Sequence, residues 1–428
     1  YLNGRVDSLS NTENDVASLQ LKYSVLYDEM EKLQRLWTKD MEGARELEES
    51  PFTLVDDWWV ADPKMFRFPQ GVVVGDRLDD CYYGNAVLSV GLLDSQGRGN
   101  CPSGDASVTF GRSNTASGKH STVTGGMDNI ASGWASSVSG GYGNTAKGRS
   151  SSISGGEENE ALGHFSSVSG GGANIAYGYK SSVTGGNYND SSGDFSSVTG
   201  GKYNYASGDF SSVMGGKYNT ASGTRSSVSG GGLNEAAGNR SSVSGGSHNY
   251  ASGEDSSVSG GSDNLAPGND SSVSGGSNNI ASGKWSSVSA GFFNTATGKW
   301  SSVLAGYYNN ASGIVSSVSG GEFNSVSGRS SSVSGGYYNE ASGDYSSVSG
   351  GGNNKVEGPG ASVSGGLENN AMEMYASVSG GVSNFAMGRF TTISGGIHNE
   401  ARGKLSFVLG GIKNVAVNEL DSITKSGN

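Results

Sequence analysis

Apolar residues are spaced in two different ways along this chain. Between residues 2 and 49 they fall at alternating intervals of three and four from Val16 to Trp37, which is the heptad pattern of a coiled coil. The apolar seam comprises Leu2, Leu9, Val16, Leu19, Tyr23, Leu26, Met30, Leu33, Trp37, Ala44 and Leu47. Pro51 predicts the end of this helix. We therefore predict a coiled-coil stalk over residues 1–50, with a lone amphipathic helix as the alternative.

The second pattern is a strict repeat that runs from residue 105 to the end of the chain. A valine or isoleucine recurs every fifteen residues from Val108 to Ile423. A glycine stands three residues after each one from Gly111 to Gly411, and an asparagine stands six residues after it from Asn114 to Asn414. The consensus is SSVSGGxxNxASGxx. Disordered low-complexity sequence has no reason to keep one register over about twenty repeats, so an ordered repeat protein is indicated.

A fifteen-residue unit suits one coil of a parallel β-solenoid, and Val138, Gly141 and Asn144 represent its structural positions. Strand alternation predicts that the valine and the later alanine point inward and the serines outward. Glycines are expected at corners that need a positive φ or close backbone approach. The asparagine is expected to bond its own backbone and its copies one coil above and below. We therefore predict an all-β repeat solenoid, a parallel β-roll, over residues 105–428.

Residues 51–104 lie between these two patterns and repeat least. Apolar runs at Val72 to Val74 and Ala86 to Leu93 predict short strands in a neck or cap. Cys81 and Cys101 are the two cysteines of the chain, and we predict that they form a disulfide. Two free buried thiols are the alternative.

Composition explains why a partner is expected. The chain has 428 residues, of which 73 are glycine and 33% are hydrophobic, so each coil buries little apolar surface. Ordering fifteen residues per coil is costly, and a neighbouring chain would help to offset that cost. Together with the stalk, this predicts self-association as a homotrimer, or within a longer filament.

The repeats resemble the left-handed parallel β-roll heads of trimeric autotransporter adhesins, whose repeat has the form SVAIGxxAxAxGxx. Ser137–Gly141 and Asn144–Gly148 carry the match. The resemblance covers about three quarters of the chain. It implies a homotrimer of β-rolls around a threefold axis, with surface adhesion as the usual role. The repeat here has fifteen residues rather than fourteen, and glycine replaces the second hydrophobic residue of SVAIG.

Charge and chemistry argue against several functions. The net charge of −12 disfavours nucleic acid as a partner, and no apolar run is long enough to span a bilayer. The four histidines, His120, His164, His248 and His398, occupy scattered repeat positions. We therefore expect no catalytic residues, no metal site, no cofactor and no enzyme activity.

Aromatic residues recur at two variable positions of the repeat and are the candidate ligand-binding residues. One position holds Phe293, Tyr308, Phe323 and Tyr338 on consecutive coils, and the other holds Trp285 and Trp300, each after a lysine. Such rows can bind sugar faces or a partner surface. Packing on a neighbouring chain, or stacking among themselves, is the alternative.

Four sequons mark candidate glycosylation sites at Asn189, Asn239, Asn269 and Asn310. The whole pattern favours a structural or adhesive fibre protein, extracellular or on a cell surface, appendage or virion. A glycan or surface receptor is a further expected partner. A carbohydrate-binding, tailspike-like fibre and an ice-binding protein are the alternatives.

Overall fold

The chain folds into two compact units, Tyr1–Arg67 and Phe68–Asn428. The structure is a computed structural model that describes residues 29–32, 52–55, 58–61, 68 and 70–424, with 52–55 and 58–61 described by their backbone. In the first unit, residues 29–32 are helical, and β1 (Phe52–Val55) pairs antiparallel with β2 (Trp58–Ala61). The rest of the predicted coiled coil lies outside the described residues.

The second unit is a parallel β-solenoid of about 24 coils. It begins with β3 (Gly71–Gly75), β4 (Val87–Gly91) and β5 (Val108–Phe110). The following strands have two residues each and alternate between two series with a fifteen-residue period. One series runs from β6 (Thr115–Ala116) to β46 (Val415–Ala416), and the other from β7 (Thr122–Val123) to β47 (Ser422–Ile423).

These strands form two parallel ladders. The valine sheet contains β3, β4, β5 and the odd-numbered strands that follow, 24 in all, whereas the alanine sheet contains the 21 even-numbered strands from β6 to β46. Val228 pairs with Val243 and Ala236 with Ala251, so each coil lies directly on the next. A third ladder of single bridges runs from Arg112 to Ile412. The predicted parallel solenoid is confirmed.

The coil at residues 226–240 shows how the core is built. Val228 and Ala236 are buried as predicted, and so is the side chain of Asn234. The prediction was wrong for Ser226, which is 1% exposed although the serines were expected to point outward. Ser226 lies two residues before Val228 and therefore shares its inward side of the strand. Ser227 is half-buried and Ser229 exposed, in agreement with the outward prediction.

The asparagine ladder is confirmed and explains why Asn recurs in every coil. Asn234 Nδ2 donates to the carbonyl oxygens of Gly230 in its own coil, at 2.9 Å, and of Gly246 in the next, at 3.0 Å. Asn234 Oδ1 accepts the backbone N–H of Asn249 at 3.0 Å. Each buried amide thus satisfies backbone groups of two coils that would otherwise be orphaned.

The glycines have distinct roles within one coil. Gly231 has a φ of +84°, and a Cβ built there would lie 2.1 Å from the Gly246 carbonyl oxygen. Gly238 has no positive φ, but its Cβ would lie 1.9 Å from the Gly253 carbonyl oxygen. Both predicted reasons for glycine are therefore present. Gly230, the first of the pair, shows neither, because a Cβ there would meet nothing within 4 Å.

The first coils depart from the regular repeat. Thr109, not Val108, pairs with Val123 and is fully buried, so the predicted register was wrong by one residue at this coil. The cause is a missing residue: the first glycine of the pair is absent here, so Asn114 follows Asn100 by fourteen residues rather than fifteen. Asn100 Oδ1 accepts the backbone N–H of Asn114 at 2.9 Å and so begins the ladder.

The parallel sheet also extends upstream of the boundary predicted at residue 105. β3 pairs with β4 at an offset of sixteen residues, and β4 with β5 at an offset of twenty, which leaves room for longer loops. The predicted disulfide between Cys81 and Cys101 is confirmed, with the Cα atoms 5.6 Å apart. It ties the loop after β3 to the residue that bridges to Thr115.

Candidate functional surfaces

Two rows of side chains project from the coil corners with left-handed backbone. In the coil at residues 226–240 these positions are Leu233 and Arg240, with φ of +57° and +56°. Equivalent residues in other coils include Trp285, Trp300 and Val315. Non-glycine residues rarely adopt this conformation, so the packed coils must impose it. The result is that side chains of successive coils stand one above the other.

Aromatic residues in these rows stack on one another. Ring centroids lie 5.0 and 4.9 Å apart along Tyr188, Tyr203 and Tyr218, and 4.6, 5.2 and 4.8 Å apart along the predicted row, Phe293, Tyr308, Phe323 and Tyr338. Offset or parallel stacks of this kind stabilise by about 0.5–1.5 kcal/mol per pair beyond area burial. The self-stacking alternative is thus present, and the ring edges face solvent. Ligand binding by these residues stays a prediction.

Trp285 and Trp300 stack with their ring centroids 5.0 Å apart, and a lysine contacts each ring. The Lys284 ammonium lies 4.0 Å from the Trp285 ring centroid, and that of Lys299 lies 3.9 Å from the Trp300 centroid. Both indoles remain about half exposed. Each lysine precedes its tryptophan in two consecutive coils, so the cation–π contacts form a row parallel to the solenoid axis.

The outward side of the valine sheet is uniform. Over the twenty coils from residue 121 to residue 420, the position before the core valine or isoleucine holds seventeen Ser, two Thr and Phe407. The position after it holds fourteen Ser, three Thr, Met214, Leu304 and Leu409. None of these positions is charged. We call this surface, together with the first glycine of each pair, the serine face.

The outward side of the alanine sheet is equivalent in geometry but not in composition. In the same twenty coils its outward strand position holds eleven kinds of residue, including Ile175, Asp190, Tyr205 and Lys355. We call this surface the variable face. The variable face even contains the half-buried carboxyl group of Asp190. Burial raises the pKa of this group, and its Oδ1 has no hydrogen-bond partner among the described residues.

The first glycine of each pair extends the uniformity of the serine face. It is glycine in eighteen of the twenty coils, and alanine at Ala290 and Ala305. These two alanines show that a Cβ is accepted, since Asn294 Nδ2 still donates to the Ala290 carbonyl oxygen at 3.0 Å. Gly395 has a φ of +157°, but at the other first glycines neither a positive φ nor packing within the chain explains why larger residues are absent.

The asparagines of the four sequons differ in how exposed they are. Asn189 belongs to the buried ladder, and its Nδ2 donates to the carbonyl oxygens of Gly185 and Gly201, so it is inaccessible in the folded coil. Asn239 and Asn269 are exposed at the corner row, and Asn310 is half-buried on the variable face. Burial follows from the position in the repeat, which the sequon itself does not reveal.

The absence of catalytic and metal-binding residues stays a prediction. His120, His164, His248 and His398 are all exposed, on separate coils. Within residues 70–424 and the shorter described segments, no group of three or more His, Cys, Asp or Glu residues is arranged to hold a metal ion. No helix among the described residues is long and apolar enough to cross a bilayer.

No family model and no curated protein matches the chain. The parallel solenoid that the resemblance to adhesin heads implies is confirmed by the ladders, whereas membership of that family is not shown. The rows of serine beside the core valines are visible in the sequence, where they suggest either an ice-binding surface or burial between chains. The contrast with the equivalent positions of the alanine sheet is the signal that identifies the serine face.

Proposed function

We propose that this chain is a non-enzymatic structural or adhesive protein of an extracellular fibre or surface appendage, in which copies pack side by side through the serine face. The observation that carries this proposal is the uniformity of that face. Met214, Leu304, Leu409 and Phe407 show that large residues fit its positions, so the fold alone does not demand serine. Small uncharged side chains are what close approach of a second sheet requires.

The size of the serine face supports the proposal. Twenty coils at the usual strand spacing give a strip about 90 Å long and about 10 Å wide, or roughly 900 Å² per chain. Stable complexes bury about 800 Å² per partner. The predicted stalk would bring three copies together, which favours the homotrimer. The disulfide is consistent with an oxidising, extracellular environment.

Two alternatives receive less support. An ice lattice is rigid and flat, but Met214, Leu304 and Leu409 project from the serine face with more than half of each side chain exposed. A partner protein can accommodate such residues beside its own glycines. A tailspike-like platform for neutral sugars would need free ring faces, and the interior rings of the aromatic rows use theirs for stacking.

Paired lysine substitutions on the two faces test the proposal. Ser227→Lys with Ser257→Lys places two charges on the serine face, two coils apart. Thr220→Lys with Tyr250→Lys does the same on the variable face. Light scattering of the full chain should give a multiple of 43.5 kDa for the wild type and the control. The serine-face variant should have a lower mass or a lower thermal midpoint; equal behaviour of both variants, or a wild-type monomer, would contradict the proposal.

A further inference from the structure

The Trp285–Trp300 row lies in a part of the chain with few acidic residues, although Asp270 occupies the position equivalent to Trp285 on the preceding coil. Residues 271–321 contain no Asp or Glu, although the chain as a whole carries a net charge of −12. Lys284 and Lys299 are the two charged residues of this stretch. Some other cations form ion pairs: Lys355 Nζ lies 2.6 Å from Glu357, and Arg240 contacts both Glu254 and Asp255.

The indole rings hold the two ammonium groups in place. Lys299 lies 3.9 Å from the centroid of Trp300 and 5.2 Å from that of Trp285, while Lys284 lies 4.0 Å from Trp285. The side chains are therefore ordered by rings rather than by carboxylates, which leaves their charge available to a ligand. Because the coils are in register, the charges follow each other along the axis at about 4.8 Å.

Apolar residues continue the same two rows on the next coil. Ile314 and Val315 occupy the positions equivalent to Lys299 and Trp300, and both are 48% exposed. The surface formed by Lys284, Trp285, Lys299, Trp300, Ile314 and Val315, which we call the indole band, thus combines two cations with an exposed apolar strip. Surfaces of this kind commonly mark interaction sites.

We propose that the indole band binds a linear anionic polysaccharide lying along the solenoid axis. Lys284 and Lys299 would donate charge-assisted hydrogen bonds to carboxylate or sulfate groups. Ile314 and Val315 would contact the apolar faces of the sugar rings, while the stacked indoles hold the two lysines in place. The site lies on a corner row, not on the serine face, so it does not depend on the proposed packing of copies.

Nucleic acid is the less favourable polyanion. Proteins that bind it commonly neutralise about six to ten phosphates, whereas the indole band offers two lysines on an acidic chain. A neutral polysaccharide would leave both ammonium groups without an anionic partner. The chemistry of the band therefore favours an anionic sugar polymer.

The full chain provides its own control for a binding test. Heparin serves as the anionic probe, dextran as the neutral probe and a duplex DNA oligonucleotide as the competing polyanion. Lys284→Gln with Lys299→Gln removes both charges of the band. Lys202→Gln with Lys217→Gln removes two lysines with similar contacts, at 5.0 and 4.9 Å from the rings of Tyr203 and Tyr218. Here, however, Asp209 lies in the coil of Lys202 and Asp194 lies in the coil before it.

Heparin should bind the wild type and the control alike, and bind the indole-band variant about tenfold more weakly, as expected for two exposed charge contacts. Binding should weaken as salt concentration rises. Trp285→Ala with Trp300→Ala should lose at least as much affinity, with unchanged mass in light scattering. Equal losses in both lysine variants, equal binding of dextran, equal binding of DNA, or no binding of heparin would each overturn the proposal.

Discussion

The serine face and the variable face occupy equivalent positions on two parallel ladders, yet one is nearly invariant from coil to coil and the other accepts eleven kinds of residue. The variable face shows what the fold permits at an outward strand position. We propose that contact with another chain, rather than the fold, accounts for the composition of the serine face. A position of a repeat protein can hold the same residue in every coil because the fold requires it or because a partner does. The burial and contacts of that position within its own chain distinguish the two causes.

The largest effect on stability is expected at the asparagine ladder, where the fold itself requires the same residue in every coil. Asn234→Ala removes three buried hydrogen bonds and leaves backbone groups of two coils unpaired, so we expect a loss of about 4 kcal/mol in unfolding free energy. Asn239→Ala in the same coil is the control, because Asn239 is exposed at a corner. Urea unfolding measures both, and similar midpoints for the two variants would argue against the ladder as a main source of stability.

A somewhat smaller effect is expected at the second glycine. Gly231→Ala places a Cβ 2.1 Å from the Gly246 carbonyl oxygen, in a residue with positive φ, and should cost about 3 kcal/mol. Thermal unfolding provides the measurement. A midpoint equal to that of wild type would show that the corner relaxes, and that the fold does not explain this row of glycines.

The disulfide should act locally. Replacing Cys81 and Cys101 by serine should cost about 2–3 kcal/mol in the first coils, because the bond closes a loop with a sequence separation of twenty residues. Hydrogen exchange should then rise at β3 and β4 and remain unchanged around Val228, since solenoid coils contact mainly their neighbours. An equal rise along the whole solenoid would contradict this division.

The smallest effect on folding is expected where uniformity comes from a partner. Gly230→Val adds a side chain at a position where a Cβ meets nothing within 4 Å, so the unfolding of a single chain should hardly change. Association of copies should weaken about tenfold, or 1.4 kcal/mol, because the face is no longer smooth. Gly232→Val is the control on the third ladder. Sedimentation at several concentrations compares the association of the two variants. An equal effect of both changes would count against contact between copies at the serine face.

The regular part of the fold was predictable because each inward position has a single physical demand. Valine, alanine and asparagine recur at fixed intervals, and burial, size and hydrogen bonding explain each of them. The buried Ser226 was not predicted, since a small polar residue is compatible with either side of a strand. The register at Thr109 was missed because one absent glycine shifts the strand while the later Gly111 and Asn114 keep their spacing.

The candidate surfaces were predictable only in part. Aromatic rows are visible in the sequence, but whether rings stack or stay free depends on corner geometry that the sequence does not display. The proposal for the serine face depends on Gly230, which has neither a positive φ nor an atom within 4 Å of a Cβ built there. The indole band required knowing that rings, not carboxylates, contact Lys284 and Lys299.

Thiol labelling tests the contact at the serine face most directly. Ser229→Cys and Asn239→Cys each introduce one thiol at an exposed position of the same coil, and the native cysteines, both in the disulfide, contribute no free thiol. In the assembled full-length protein, Cys at position 229 should react slowly and that at position 239 quickly. Dissociation should then equalise the two rates. Equal rates in the assembled protein would contradict a contact between copies at this face.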